Sequence, residues 1–97
     1  MTSREKIYSI EYTRQFLSDV QAHRQSGRRS ILVKIDALLE ELREHPTTGT
    51  GNPEALRGDM AGLWSRRVTR VHRLVYEICE ETITVIVLTA KGHYGDK

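Results

Sequence analysis

Ile31, Ile35, Leu38, Leu39 and Leu42 recur three and four positions apart, and Lys34, Glu40, Glu41 and Glu44 occupy the polar side between them. One apolar stripe at that spacing predicts an amphipathic helix. It opens at Ser30 and is stopped soon after by Pro46, which has no N–H to continue the ladder. A weaker stripe, Phe16, Leu17 and Val20, follows Thr13, a residue suited to a helix N-cap. That helix is expected to run to about Gln25 and to close near Ser26–Gly27, where glycine tolerates a left-handed C-cap. Ahead of it, Lys6–Tyr12 alternates loosely through Ile7, Tyr8, Ile10 and Tyr12, which suits a short strand. Beyond the helices the period changes. Leu63–Val68 and Val71–Ile78 read as strands around a tight turn near Thr69–Arg70, and Glu80–Glu81 marks the next turn. Thr82–Ala90 is β-branched and apolar enough for a central strand. The clear loop is PTTGTGNP, Pro46–Pro53, and Glu54–Gly62 is expected to continue irregularly. The order β-α-α-β-β-β predicts an α+β fold with two helices on one face of a mostly antiparallel sheet.

At 97 residues the chain is expected to be one domain, 1–97, with a modest core and no large enclosed pocket. The net charge of +2 and pI of 8.9 say little by themselves. Its distribution says more. Acidic residues gather in Asp36–Glu44 and Glu77–Glu81, whereas Arg57–Arg73 holds five arginines against the single carboxylate of Asp59. Such a zone is either the footprint of a polyanion-binding face or a solvated strand surface whose cations guard an edge. The only cysteine, Cys79, excludes a disulfide within the chain and is expected to be a buried, inert thiol. His23, His45, His72 and His93 lack the close pairing of a zinc site, so neither metal nor cofactor is expected. MTSREKIYSI has no long apolar run; no signal peptide or membrane span is expected, and a cytoplasmic location is.

Some of these residues could carry chemistry. Strand alternation puts Arg73, Val75 and Glu77 on one face and His72, Leu74, Tyr76 and Ile78 on the other, the better candidate to meet the helices. Arg73 on the opposite face could grip a phosphate through paired hydrogen bonds, or be an ordinary strand cation. Glu54, in a loop beside this basic strand, could take a proton from a ribose hydroxyl, or simply pair with Arg57. His93 could protonate a leaving oxygen and Tyr94 could stack on a base, or both could belong to a frayed tail. Trp64 is assigned to the core, and His72, facing away from Arg73, to a structural role.

The run HPTTGTGNPEALRGDMAGLWSRRVTRVHRLVYEI, closed by KGHY, resembles the YoeB/Txe toxins of bacterial type II toxin–antitoxin systems, within the wider RelE group. The motifs P-x-x-G-x-G-x-P-E, L-x-G-x-W-S-R-R and H-R-L-V-Y stand in order and cover the last half of the chain densely. The N-terminal half matches only as a strand followed by two helices.

The resemblance implies a RelE-like microbial ribonuclease fold and a ribosome-dependent endoribonuclease that cuts messenger RNA in the decoding site. It implies catalytic roles for Glu54, Arg73, His93 and Tyr94, and RNA contacts for Arg57, Arg66 and Arg67. The implied partners are a cognate antitoxin, the ribosome with its mRNA, and a second copy of the chain. Two departures stand out. Gly92 stands where some relatives have an aromatic residue before the histidine, and is expected to leave the His93 backbone less fixed. Gly95-Asp96-Lys97 follow Tyr94. The competing expectations are a gyrase-poisoning toxin of the ParE type without the catalytic set, and a plain RNA-binding module.

Overall fold

Thr13 joins the first strand to the first helix, and the bonds it makes explain how the fold begins. Its Oγ1 accepts from the Phe16 amide at 3.0 Å, capping the helix. Its hydroxyl donates to the Leu88 carbonyl at 2.7 Å, and its own amide to Val87 at 3.1 Å, so the helix start is tied to the last strand. The computed structural model describes residues 7–92. In it, β1 spans Ser9–Tyr12, α1 Arg14–Gln25, α2 Arg29–Leu42, β2 Glu54–Ala55, β3 Leu63–Arg67, β4 Arg73–Cys79 and β5 Thr84–Thr89. The five strands form one sheet in the order β1-β5-β4-β3-β2, with β1 parallel to β5 and the other pairs antiparallel. The expected α+β architecture is therefore the observed one.

β2 is the element that the sequence pattern missed. It is two residues long, lies between Pro53 and Gly58, and is made a strand only by pairing with β3. A segment that short has no period to detect. A 3-10 turn, Gly58–Met60, follows it.

The core lies between the helices and one sheet face. Ile31, Ile35, Leu38 and Leu42 of α2 pack with Phe16, Leu74, Tyr76, Val85, Val87 and Ala90, with Trp64 against the edge of the cluster. The α2 stripe is thus as read. On α1 it is not, because Leu17 is exposed and the buried positions are Phe16, Asp19 and His23. Residues 16, 19 and 23 share a helical face, and two polar groups on it are tolerated because both are hydrogen-bonded there. Asp19 accepts from the Ala90 amide at 2.9 Å, and His23 Nε2 donates to the Ala90 carbonyl at 2.9 Å. Cys79 is half-buried, not buried. Loss of solvation, followed by the nearby carboxylates of Glu77, Glu11 and Glu81, pushes its thiol above the usual range and so disfavours the reactive thiolate.

Candidate active site on the helix-free face of the sheet

Opposed residues of an antiparallel pair project to the same side. β3 sets Ser65 against Val75 and Arg67 against Arg73, and β2 sets Glu54 against Ser65. Glu54, Ser65, Arg67, Arg73 and Val75 accordingly share the face that the helices leave uncovered. Trp64, Arg66, Leu74 and Tyr76 project to the core side, as the strand period requires. Leu74 and Tyr76 facing the helices, with Arg73 opposite, is the arrangement that the alternation of β4 predicts.

On this face Arg73 Nη1 approaches Glu54 Oε1 to 4.0 Å and donates to Ser65 Oγ at 3.4 Å. The guanidinium side chain is only 13% exposed, whereas that of Glu54 is 48% exposed. Arg73 is therefore an anchored cation, not the ordinary surface cation that spacing alone allowed. At 4.0 Å the pair is looser than a bonded carboxylate–guanidinium contact of about 2.8 Å. A phosphate group could be held by the arginine while its neighbouring ribose meets the carboxylate. The ion pair that Glu54 makes runs across the strands to Arg73, not along the chain to Arg57. Arg57 and Arg67 are exposed, and Arg57 shares a shallow depression with Glu54, Ala55 and Leu56.

Arg66 departs from its expected place on the RNA side. It is fully buried, and each of its five N–H donors has a partner. Nε donates to the Tyr76 hydroxyl at 3.1 Å, and Nη1 to Glu41 Oε1 at 2.7 Å and the Thr50 carbonyl at 3.2 Å. Nη2 donates to the Thr48 carbonyl at 2.7 Å and to the His45 carbonyl. Tyr76 in turn donates to the Pro46 carbonyl at 2.7 Å. The loop Pro46–Pro53 is folded around a guanidinium, and that is why it reads as turn residues with no period. Its carbonyls point inward and need donors, which a buried arginine supplies.

The wrapped loop delivers Glu54. Gly51 accepts from the Arg67 amide at 2.7 Å, and after Pro53 the chain pairs with β3 at Glu54. Gly49 makes the close approach feasible, since a Cβ at this position would collide with the Glu41 carboxylate on a backbone of φ +112°. Burial raises the Glu41 carboxyl, but hydrogen bonds from the Thr50 hydroxyl and amide, and then Arg66, outweigh it and leave the group below the usual glutamate range. Burial pushes the Tyr76 hydroxyl upward, against the opposing pull of Arg66, so it stays a donor.

At the other end of β4, the expectation of a structural His72 has a concrete form. Gly92 donates its amide to His72 Nδ1 at 2.9 Å, and the Arg73 amide donates to the Gly92 carbonyl at 3.0 Å. His23 meets the His72 ring edge-on at 4.7 Å between centroids. Gly92 is thereby held at φ +77°, a region that glycine enters readily, while the expected looseness of the His93 backbone falls outside the described residues. His93 and Tyr94 lie outside the described residues. Ser65, Asp19 and His23 were missed by sequence reasoning. The signal for the last two was their i+3 and i+7 spacing from Phe16; for Ser65 it was the strand period that places it beside Arg73.

Comparison with known proteins yields a consistent set of relatives. Residues 12–94 match the family model described as YoeB-like toxin of bacterial type II toxin-antitoxin system. The toxin YoeB of Escherichia coli K12 is 36% identical over 70 residues, covering 72% of this chain and 81% of the relative. A YoeB/ParE toxin from Agrobacterium tumefaciens superposes with a TM-score of 0.82 at 32% identity, covering 89% of this chain and 99% of that one. A chain of the heterotetrameric YoeB-YefM toxin-antitoxin complex from Staphylococcus aureus superposes with a TM-score of 0.75 at 29% identity, covering 95% of this chain and 100% of that one.

Proposed function

The chain belongs to the YoeB-like toxins of bacterial type II toxin–antitoxin systems, and from that premise we propose that it is a ribosome-dependent mRNA endoribonuclease that works without a metal ion. The observation that carries the reading is the convergence of Glu54 and Arg73, from different strands, on one uncovered sheet face at 4.0 Å.

In the proposed reaction a ribose 2′-oxygen attacks the adjacent phosphorus in line. Glu54 takes the 2′-hydroxyl proton, the bond from phosphorus to the 5′-oxygen breaks, and His93 protonates that oxygen as it leaves. Arg73 holds the phosphate and stabilises the charge that accumulates on it. Tyr94 positions the nucleotide. The products carry a 2′,3′-cyclic phosphate, or the 3′-phosphate to which it opens, and a 5′-hydroxyl. Arg57 and Arg67 grip neighbouring phosphates; Arg66, buried under the loop, does not take part. Acid–base assistance supplies about 10²–10⁴-fold. A surface site this open needs further help from a partner that presents the mRNA in attack geometry, and orientation effects of that kind can be larger still. The ribosome fills that role in this reading. A cognate antitoxin covering the basic face, and pairing of two copies, complete the proposed partners.

The deciding experiment incubates the purified protein with ribosomes programmed with a defined mRNA and maps cuts by primer extension. A cut within the decoding site, leaving a 5′-hydroxyl, supports the reading. Intact mRNA, or a 5′-phosphate product, overturns it; in the first case a supercoiling assay with purified gyrase tests the competing ParE-type activity.

A further inference from the structure

Ser65 is fully buried, although no helix covers its side of the sheet. It stands in the middle of a three-strand row on that face, with Glu54 of β2 on one flank and Val75 of β4 on the other. Arg73, two residues before Val75, is its diagonal neighbour and donates from Nη1 to the serine hydroxyl at 3.4 Å. Among the described residues Arg73 is the only hydrogen-bond partner of the Ser65 side chain. A buried hydroxyl is costly unless bonded, and alanine would fill the same slot without that cost and without touching the ladder. The sheet, then, does not require the hydroxyl. Nor does Nη1 lack a stronger acceptor, because the same nitrogen is the one that faces Glu54 Oε1 at 4.0 Å. A bond to that carboxylate would be charge-assisted, about 2.8 Å long and about twice as strong as one to a neutral hydroxyl. Glu54 is 48% exposed, and Arg73 is its only ion-pair partner among the described residues. The carboxylate is thus able to close on the guanidinium, yet Nη1 bonds to the serine between them.

We propose that Ser65 is a positioning residue that holds the Glu54–Arg73 pair open: by accepting from Nη1 it keeps the guanidinium from locking onto the carboxylate. This rests on the nuclease reading of Glu54 and Arg73. A carboxylate gripped by a guanidinium has its lone pairs engaged and is a poorer proton acceptor. A guanidinium gripped by a carboxylate has its forked donors committed before any phosphate arrives. The serine hydroxyl is neutral, so it steers Nη1 without cancelling the charge of the arginine. Its shortness matters as well, since the guanidinium has to lie low enough to be only 13% exposed while still reaching the uncovered face. One hydroxyl therefore leaves the base ready for a ribose proton and the cation ready for the phosphate beside it.

The test compares Ser65→Ala with wild type in the full chain, alone and in a Glu54→Gln background. Two quantities are read: the Glu54–Arg73 separation in crystal structures of both proteins, and the single-turnover rate on programmed ribosomes. In Ser65→Ala the pair is expected to close from 4.0 Å to about 2.8 Å. The rate at saturating ribosomes should fall about tenfold, a part of what a general base supplies, while the half-saturating ribosome concentration stays the same. In the Glu54→Gln background Ser65→Ala should add no further loss, because a neutral amide does not lock the guanidinium and the two residues act through one pair. A merely structural serine would lower the rate by the same factor in both backgrounds. The proposal is overturned if the pair stays open in Ser65→Ala, if the loss persists in full beside Glu54→Gln, or if it appears in half-saturation instead. Should the wild type cut nothing, the nuclease reading falls, and the two crystal structures still decide whether Ser65 holds the charges apart. Should the wild type cut and Ser65→Ala cut equally fast, only the positioning role falls.

Discussion

Arg66 and Arg67 are chain neighbours that the strand sends to opposite sides of the sheet. Arg66 is wholly enclosed, its guanidinium ringed by Glu41, Tyr76 and the carbonyls of His45, Thr48 and Thr50, while Arg67 stands exposed beside Arg73. Identical side chains one position apart thus become a brace for a loop and a cation for an anionic ligand.

Replacement of the two should separate cleanly. Arg66→Met leaves a carboxylate, a hydroxyl and three carbonyls without their donor, and a broken buried network of this kind costs about 3–5 kcal/mol. Arg67→Ala should change stability by less than about 0.5 kcal/mol. Urea unfolding followed by circular dichroism distinguishes them; equal midpoints for the two variants would contradict the structural role given to Arg66.

Gly49 is the next test of the wrapped loop. A methyl group there meets the Glu41 carboxylate that Arg66 and Thr50 already hold, on a backbone of φ +112°. Gly49→Ala should cost on the order of 1–3 kcal/mol, whereas alanine at the neighbouring exposed Thr47 should be close to neutral. Chemical denaturation of both variants is the measurement.

Acid stability follows from the same network. The folded value of Glu41 is depressed, so the unfolded chain takes up a proton there at higher pH than the folded chain does. Its contribution is fully present above the ordinary glutamate range and disappears as pH falls through the folded value. Unfolding free energy measured from neutral pH downward should therefore fall less steeply in Glu41→Gln than in the wild type, with the difference confined to the acid limb. Parallel acid limbs would show that Glu41 does not carry this linkage.

Catalysis is tested at the pair on the uncovered face. Glu54→Gln keeps the shape but removes the base and should slow single-turnover cleavage by about 10²–10⁴-fold. Arg73→Lys keeps the charge but loses the forked donor set, and should still cost about 10²-fold. Near-wild-type cleavage by either variant, with products carrying a 5′-hydroxyl, would remove that residue from the mechanism.

Much of this molecule is legible in its order of residues. The α2 stripe, the Thr13 cap, the sidedness of β4 and the α+β class all follow from local period and local chemistry, which depend on near neighbours in the chain. Glu54 and Arg73 could be nominated as chemical types, yet only a three-strand register brings them together. The family resemblance placed Arg66 among the RNA-facing cations, and nothing local distinguishes it from Arg67; its fate depends on a carbonyl-lined loop that folds back over the strand. Asp19 and His23 looked like breaks in a helix stripe until the end of β5 supplied their partners. Period and propensity are set by residues a few positions apart, so the sequence by itself determined the elements and their faces. Hydrogen-bond partners of buried polar groups come from distant segments, so which arginine braces the loop, which one stands exposed and what holds Ala90 and Gly92 after β5 were decided only by the tertiary structure.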